Sequence, residues 1–194
     1  MGWAQAPVYC LFGGALRDTD CSHYYRRNIE IYDYDVRIWL PEDAFQESVR
    51  DICANLKHQG VVFDLPPEKK FSASKLARKR RTWPYETYSK RKALLDGQKI
   101  DISFVGVPRS ALESPTVRAD IAQDCVRHSS LSLGAIALDM DKKCWASLRY
   151  VEDRNSRRIT ILTGEPQDME HAEKTRTNKF PHHRLTIQLN REPA

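Results

Sequence analysis

Two short fragments near the N-terminus constrain the fold of this chain more than any other feature. The first, GGALRD at residues 13–18, follows the apolar run Val8–Phe12, and the second, DYD at residues 33–35, lies in a run of alternating residues. Because glycine has no Cβ atom, the backbone at the glycine pair can approach an anion closely. The amides of the following helical turn, together with Arg17, are then placed to hold phosphate oxygens.

The two aspartates of the second fragment predict a metal site. Asp33 and Asp35 are two positions apart on a predicted strand, so both side chains leave the same face of it. Neighbouring carboxylates repel each other unless cations lie between them, and such hard oxygen ligands suit Mg²⁺. Phosphoryl and nucleotidyl transfer need a phosphate-binding turn beside a pair of Mg²⁺ ions. The sequence therefore predicts an enzyme of this kind.

Length and composition set the broad class. With 194 residues, the chain is predicted to form one domain, or one domain with a short appendage. Its formal charge of +5 is compatible with a polyanionic partner without requiring one. Five scattered cysteines without a CxxC pair argue against structural zinc or a disulfide framework and favour a cytoplasmic protein. We recognise no signal peptide and no apolar run of membrane-spanning length, so no membrane partner is expected.

The spacing of apolar residues predicts an α+β fold with a mixed β-sheet flanked by helices. Predicted strands cover residues 8–12, 29–40, 61–65 and 185–189, with hairpins at 94–105 and 145–162. Predicted helices cover residues 15–21, 115–126 and 167–175, and a further one begins at Pro41 and ends before Gly60. Residues 131–138 fit either a buried helix or a strand. The alternation over residues 29–40 predicts that Ile29 and Ile31 share the face of the aspartates, at the border of the buried side.

A third carboxylate lies in the predicted hairpin at residues 94–105, which turns at Asp96-Gly97. Alternation over its second strand places Asp101 on the face opposite Ile102 and Phe104. If this strand lies beside the strand of Asp33 and Asp35, a three-carboxylate metal site is complete. The alternative is an ordinary aspartate on an exposed strand.

Residues 68–92 combine basic and aromatic side chains. The cationic members are Lys75, Arg78, Lys79, Arg80, Arg81, Lys90, Arg91 and Lys92, and the aromatic members are Trp83, Tyr85 and Tyr88. Cations beside flat rings suit single-stranded nucleic acid, through phosphate contacts and base stacking. The segment therefore predicts an RNA-binding surface, with a solvated loop as the alternative.

The two N-terminal fragments resemble the head of the DNA polymerase β-like nucleotidyltransferases, specifically bacterial poly(A) polymerase and the class II CCA-adding group. That group carries Gly-Gly-x-x-Arg-Asp and then an Asp-x-Asp strand. A second segment, DCVRH at residues 124–128 followed by LSLGAIALD at 131–139, resembles the family's acid, double-arginine and DFTINALA-x-D segment. The order and rough spacing agree across about residues 9–141.

The resemblance implies a minimal polymerase-β-like fold and a two-metal reaction on an NTP such as ATP. It assigns Asp33 and Asp35 to two Mg²⁺ ions, and Asp101 to the third carboxylate, as proton acceptor or second-metal ligand. The triphosphate would contact Gly13, Gly14 and Arg17, with Asp18 beside them, and Arg127 would neutralise charge near the nucleotide.

The sequence also departs from the family pattern. In the second segment, His128, Ser129 and Gly134 replace the usual arginine, aspartate and asparagine. The family's Glu-Asp-x-x-Arg, which reads the base, is matched poorly by residues 152–157, which we interpret as a hairpin turn. The resemblance divides the chain into a nucleotidyltransferase head at residues 1–141 and a C-terminal hairpin, helix and strand at 142–194, with no room for the family's neck, body and tail.

Three functions stay open from the sequence. The first is transfer of NMP from an NTP to an RNA 3′ hydroxyl, with tRNA as one candidate. The second is modification of a small molecule or a protein hydroxyl. The third is a catalytically silent RNA-binding module that keeps the fold.

Overall fold

The computed structural model describes residues 7–64, 87–163 and 165–188. Within these ranges the strands are β1 (Val8–Phe12), β2 (Asp33–Pro41), β3 (Val62–Asp64), β4 (Tyr88–Leu95), β5 (Gln98–Val107), β6 (Ile136–Leu138), β7 (Cys144–Ala146), β8 (Arg158–Ile161) and β9 (Arg184–Ile187). The helices are α1 (Gly14–Tyr25), α2 (Phe45–His58), α3 (Arg109–Leu112), α4 (Val117–Arg127), α5 (Leu148–Ser156) and α6 (Pro166–Lys179). Short 3₁₀ turns cover Glu42–Ala44 and Ser132–Gly134.

The strands of the described ranges form a large mixed sheet and a small parallel one. The large sheet has the order β3-β4-β5-β2-β1-β6-β7, and β8 pairs with β9. In the large sheet β2 and β5 run parallel, whereas the other neighbouring strands are antiparallel. The predicted α+β class, with a mixed sheet flanked by helices, is confirmed.

Alternation along β2 separates two apolar layers on opposite faces of the sheet. One layer packs Ile38 and Phe104 against Phe45 of α2. The other packs Trp39 and neighbouring apolar groups against Ile121 of α4. Since side chains two apart on a strand share a face, the aspartates at the start of β2 lie on the α4 side of the sheet.

The predicted strand at residues 29–40 begins later than expected, at Asp33. Ile29 precedes the strand, and its amide donates to the Ser22 hydroxyl of α1 at 3.0 Å. Its side chain is buried among residues of α1 and the C-terminal region. The prediction that Ile29 and Ile31 share a strand face with the aspartates is therefore wrong, because this stretch packs on α1 instead of entering the sheet.

The predicted hairpin at residues 94–105 is confirmed as β4 and β5. Its turn has positive φ angles at both Asp96 (50°) and Gly97 (79°), as a two-residue hairpin turn requires. Residues 88–92 belong to β4, so the solvated-loop alternative is wrong for this part of the basic segment. The stretch at 131–138, left open between helix and strand, contains a 3₁₀ turn followed by β6.

The second predicted hairpin, at residues 145–162, is wrong. Residues Leu148–Ser156 form α5, which begins where the Ser147 hydroxyl accepts the Tyr150 amide at 3.0 Å. The helix ends at Arg157, whose φ is 53°. The flanking strands then find other partners, since β7 pairs with β6 and β8 with β9. The segment that we interpreted as a hairpin turn is thus a helix.

A third apolar cluster joins the C-terminal elements to α1. It contains Cys21 of α1, Tyr150 of α5, Ile159 of β8, Ala172 of α6 and the adjacent Phe180. The Asp20 carboxylate adds polar contacts, accepting from the Tyr150 hydroxyl at 2.6 Å and pairing with Arg154 at 2.8 Å. This packing fixes α6 beside the N-terminal fragment GGALRD.

Candidate nucleotide and metal site

The glycine hinge, Gly13-Gly14, connects β1 directly to α1. Gly13 has φ of 75°, and its amide donates to the Ile136 carbonyl at 3.0 Å. A Cβ atom on Gly13 would lie 3.2 Å from Oδ2 of Asp35. Glycine is therefore required both by the backbone conformation and by the close approach of β2. The N-cap residue of α1, Gly13, has no side chain with which to cap the helix, so among the described residues its first amides stay available to an anion.

Three aspartates lie at the start of β2 and on its parallel neighbour. Asp35 and Asp101 face each other in register across β2 and β5, and Asp33 precedes Asp35 on the same strand face. The predicted adjacency of the two strands is confirmed. Asp101 also forms an ion pair with Lys90 of β4. The Lys90 Nζ lies 2.6 Å from Oδ2 of Asp101.

The electrostatics at Asp35 favour a bound cation. Burial raises the pKa of Asp35 to about 6, and the charges of Asp33 and Asp101 add to the rise, whereas Lys90 and Arg17 oppose it. A carboxylate that is desolvated among other carboxylates is stabilised when a metal ion joins the group.

The donor set fits Mg²⁺ at two of the three positions. Asp33 and Asp35 supply hard oxygen atoms beside a chain turn that can hold phosphate. Across the described ranges, no three His, Cys, Asp or Glu side chains converge on one point. Asp101 becomes available to a metal only when Lys90 releases it. The three-carboxylate metal site that the sequence predicted is therefore not formed among the described residues, and Asp33 and Asp35 are the two carboxylates that line the cavity.

A cavity of about 710 Å³ brings the two N-terminal fragments together. Its lining includes Gly13, Gly14 and Arg17 from the hinge and helix, and Asp33 and Asp35 from β2. The other predicted site residues in the described ranges do not line it: Asp18, Asp101 and Arg127.

Asp18 lies behind the cavity and orients two cations. The carboxylate is buried, accepts from Nε of Arg17 at 2.6 Å and also pairs with Lys179 of α6. The Arg17 guanidinium also lies 5.4 Å from the ring centre of Phe180. Arg17 is therefore held rigidly at the cavity wall, with Nη2 close to Gly14.

The end of α4 supplies the cavity with His128, Ser129 and Ser130, whereas Arg127 is exposed. His128 Nδ1 lies 2.9 Å from Oδ1 of Asp124, and the other oxygen of Asp124 accepts from the buried Arg37 at 2.6 Å. Arg37, Asp124 and His128 thus form a chain of contacts that fixes the orientation of the imidazole.

Gly134 lies close to Ser129 at the cavity wall. It lines the cavity, and a Cβ atom there would lie 2.7 Å from the Ser129 hydroxyl. That hydroxyl donates to the Leu131 carbonyl at 2.7 Å. A larger residue at position 134 would therefore displace the Ser129 hydroxyl.

Helix α6 contributes a wall of the cavity that was not predicted from the sequence. This α6 wall consists of His171, Lys174, Thr175, Asn178 and Lys179. These residues recur at helical spacing, so they form one stripe, with Ala172 buried beside it. The signal was present in the sequence as a polar stripe on a predicted polar helix. Tyr32 also lines the cavity, with Lys179 Nζ 4.5 Å from its ring centre.

The predicted RNA-binding residues divide into two groups. Seven lie outside the described residues: Lys75, Arg78, Lys79, Arg80, Arg81, Trp83 and Tyr85. The remaining four, Tyr88, Lys90, Arg91 and Lys92, lie on β4. Among these, Lys90 is engaged by Asp101, whereas Lys92 is exposed.

Within the described residues, no helix combines the length and the apolar character needed to cross a membrane. Comparison of the sequence with protein-family models finds no match, and comparison with curated proteins finds none either.

Proposed function

We propose that this protein is a magnesium-dependent nucleotidyltransferase that moves NMP from an NTP to an RNA 3′ hydroxyl. One observation carries the proposal: Asp33 and Asp35 share a cavity with the glycine hinge and the uncapped start of α1. Paired carboxylates and a phosphate-binding helix start are the two parts that such a reaction needs. The α+β fold with a mixed sheet is compatible with a minimal polymerase-β-like head.

The residues that line the cavity have different roles in the proposed reaction. Magnesium, held by Asp33 and Asp35, would activate the acceptor hydroxyl and neutralise the triphosphate. The first amides of α1 and the Arg17 guanidinium hold phosphate oxygens. The acceptor oxygen bonds to the α-phosphorus, and the bond to pyrophosphate breaks. Asp101 lies beside Asp35 but outside the cavity lining, and it is the candidate acceptor of the hydroxyl proton once its ion pair with Lys90 opens. Lys90 holds the Asp101 carboxylate in place through their ion pair.

RNA is the favoured acceptor because cationic and aromatic residues cluster in the chain at residues 68–92. The exposed Lys92 of β4 extends this cationic segment onto the large sheet. A small-molecule or protein hydroxyl is the second candidate. It is favoured by the cavity lining, which includes none of the described basic residues Lys90, Arg91 and Lys92.

Incubation with labelled NTPs, Mg²⁺ and total RNA tests the proposal. We expect label on RNA, and none when EDTA replaces Mg²⁺. Label on protein or on a small molecule instead supports the second candidate. Binding of RNA without transfer of any label would contradict the enzymatic proposal and leave the silent RNA-binding module.

A further inference from the structure

The cavity has walls of opposite charge. Asp33 and Asp35 line it from β2, and Lys174 and Lys179 line it from α6. A ligand that carries both a metal ion and a polyanion is complementary to such walls, because the metal faces the carboxylates and the anion faces the cations. A simple anion or a simple cation would be attracted by one wall and repelled by the other.

The cations of α6 differ in their partners. Lys179 forms an ion pair with the buried Asp18, and Arg176 forms one with Glu173 on the solvent side of the helix. By contrast, no carboxylate of a described residue lies within 4.0 Å of the Lys174 ammonium. Lys174 is thus a cation at a cavity wall whose charge the described residues leave unneutralised.

The position of Lys174 is fixed by the fold. Ala172 and Thr175, which flank it on α6, are buried, and the helix packs on β8 and on the cluster around α1. Asp18 adds a polar tie between α1 and the end of α6 through Lys179. The α6 wall therefore lies opposite the glycine hinge as part of the packed structure, and is not a helix that merely projects into solvent.

We propose that Lys174 binds the polyphosphate end of a metal-bound nucleoside triphosphate, and that the α6 wall is the second half of the nucleotide site. This inference rests on the proposed function. It makes the C-terminal region part of the active site: the hinge and Arg17 hold the phosphates from one side, and α6 holds them from the other.

Calorimetric titration with inorganic tripolyphosphate in the presence of Mg²⁺ tests the inference on the full chain. We expect Lys174→Gln to weaken binding about tenfold, the effect of losing one charge-assisted contact. Arg176→Gln removes the same charge from the same helix, two residues away and outside the cavity lining, and should bind as the wild type does. Both residues are at the surface, so thermal unfolding should show both variants folded.

The outcomes separate this inference from the proposed function. If the wild type binds tripolyphosphate and transfers label, while Lys174→Gln binds it equally well, the role of Lys174 is wrong and the proposed function stands. Equal losses in both variants would show a general charge effect and would also overturn the inference. A wild type that neither binds tripolyphosphate nor transfers label would overturn both.

Discussion

Asp35 and Asp101 lie opposite each other in register on the neighbouring parallel strands β2 and β5. From the next strand, Lys90 places its ammonium 2.6 Å from the Asp101 carboxylate. The Asp101 carboxylate is therefore paired with the Lys90 ammonium. The charge of Lys90 also opposes the rise in the pKa of Asp35. A metal ion that binds Asp101 would have to compete with Lys90 for the carboxylate oxygen atoms.

Replacement of Lys90 tests whether Asp101 is a metal ligand. In Lys90→Gln the competing cation is gone, so we expect the Mn²⁺ concentration for half-saturation to fall about threefold to tenfold, as for the loss of a partly screened charge. Electron paramagnetic resonance measures free Mn²⁺ directly. Lys57→Gln is the control, because Lys57 is exposed on α2, which packs on the face of the sheet opposite to the aspartates, and it should leave the affinity unchanged. If the Lys90 variant and the wild type bind Mn²⁺ with equal affinity, Asp101 is not a metal ligand.

The buried pair of Arg37 and Asp124 makes a prediction on stability. Asp124→Asn leaves the Arg37 charge buried without this carboxylate, and we expect the free energy of unfolding to fall by about 3 to 5 kcal/mol. Asp141→Asn breaks an exposed aspartate–arginine pair with Arg118 and should cost less than about 1 kcal/mol. Urea denaturation measures both. Similar small losses in the two variants would show that the buried pair contributes no more than a surface pair.

His183 predicts an acid-sensitive contribution to stability. Burial, together with the charges of Arg27, Arg157 and His182, lowers its pKa from 6.5 to about 4, whereas the charge of Asp153 opposes the shift. The unfolded chain then binds the proton more readily, so this contribution is complete above pH 6.5 and is lost as the pH falls towards 4.

The stability of a His183→Gln variant tests this linkage. Between pH 7 and pH 4 the free energy of unfolding should fall in both proteins. The fall should be about 2 to 3 kcal/mol smaller in the variant than in the wild type. His58→Gln changes an exposed histidine at the end of α2 that does not act on the pKa of His183, and it should keep the wild-type pH dependence. Parallel pH profiles for the wild type and the His183 variant would contradict the assignment.

The basic segment predicts a salt-dependent interaction with RNA. Replacement of Arg78, Lys79, Arg80 and Arg81 by alanine should weaken RNA binding and flatten its dependence on salt, because fewer counterions are released. Fluorescence anisotropy at several salt concentrations measures the slope. The same slope in the variant and the wild type would remove these four residues from the RNA-binding surface. If the transfer activity is unchanged as well, a small-molecule or protein acceptor is favoured.

Local signals predicted the centre of the candidate site well. The strand before the glycine hinge and the Asp96-Gly97 hairpin depend on neighbours in the sequence, and the structure confirms both. The proximity of Asp101 to Asp35 followed from one assumption about strand order, which is also confirmed. Such features need only short-range chemistry and a correct alternation of faces.

Features that depend on distant contacts were not predicted. Residues 145–151 alternate like a strand, but the cap at Ser147 and the burial of Tyr150 against α1 stabilise a helix instead. Lys90 is part of a basic run, and only the pairing of β4 with β5 shows its contact with Asp101. The α6 wall likewise depends on where the helix packs, which its polar stripe alone does not specify.

Removal of single carboxylates from β2 is the most direct test of the central claim. We expect Asp33→Asn and Asp35→Asn each to lower the rate of label transfer by on the order of a thousandfold, because several kcal/mol of metal-based stabilisation are lost. Both variants should stay folded, with unchanged or slightly raised stability, since the repulsion between the carboxylates is relieved. Asp43→Asn, at an exposed aspartate outside the cavity lining, should transfer label at the wild-type rate. Near-normal transfer by either β2 variant would contradict the account.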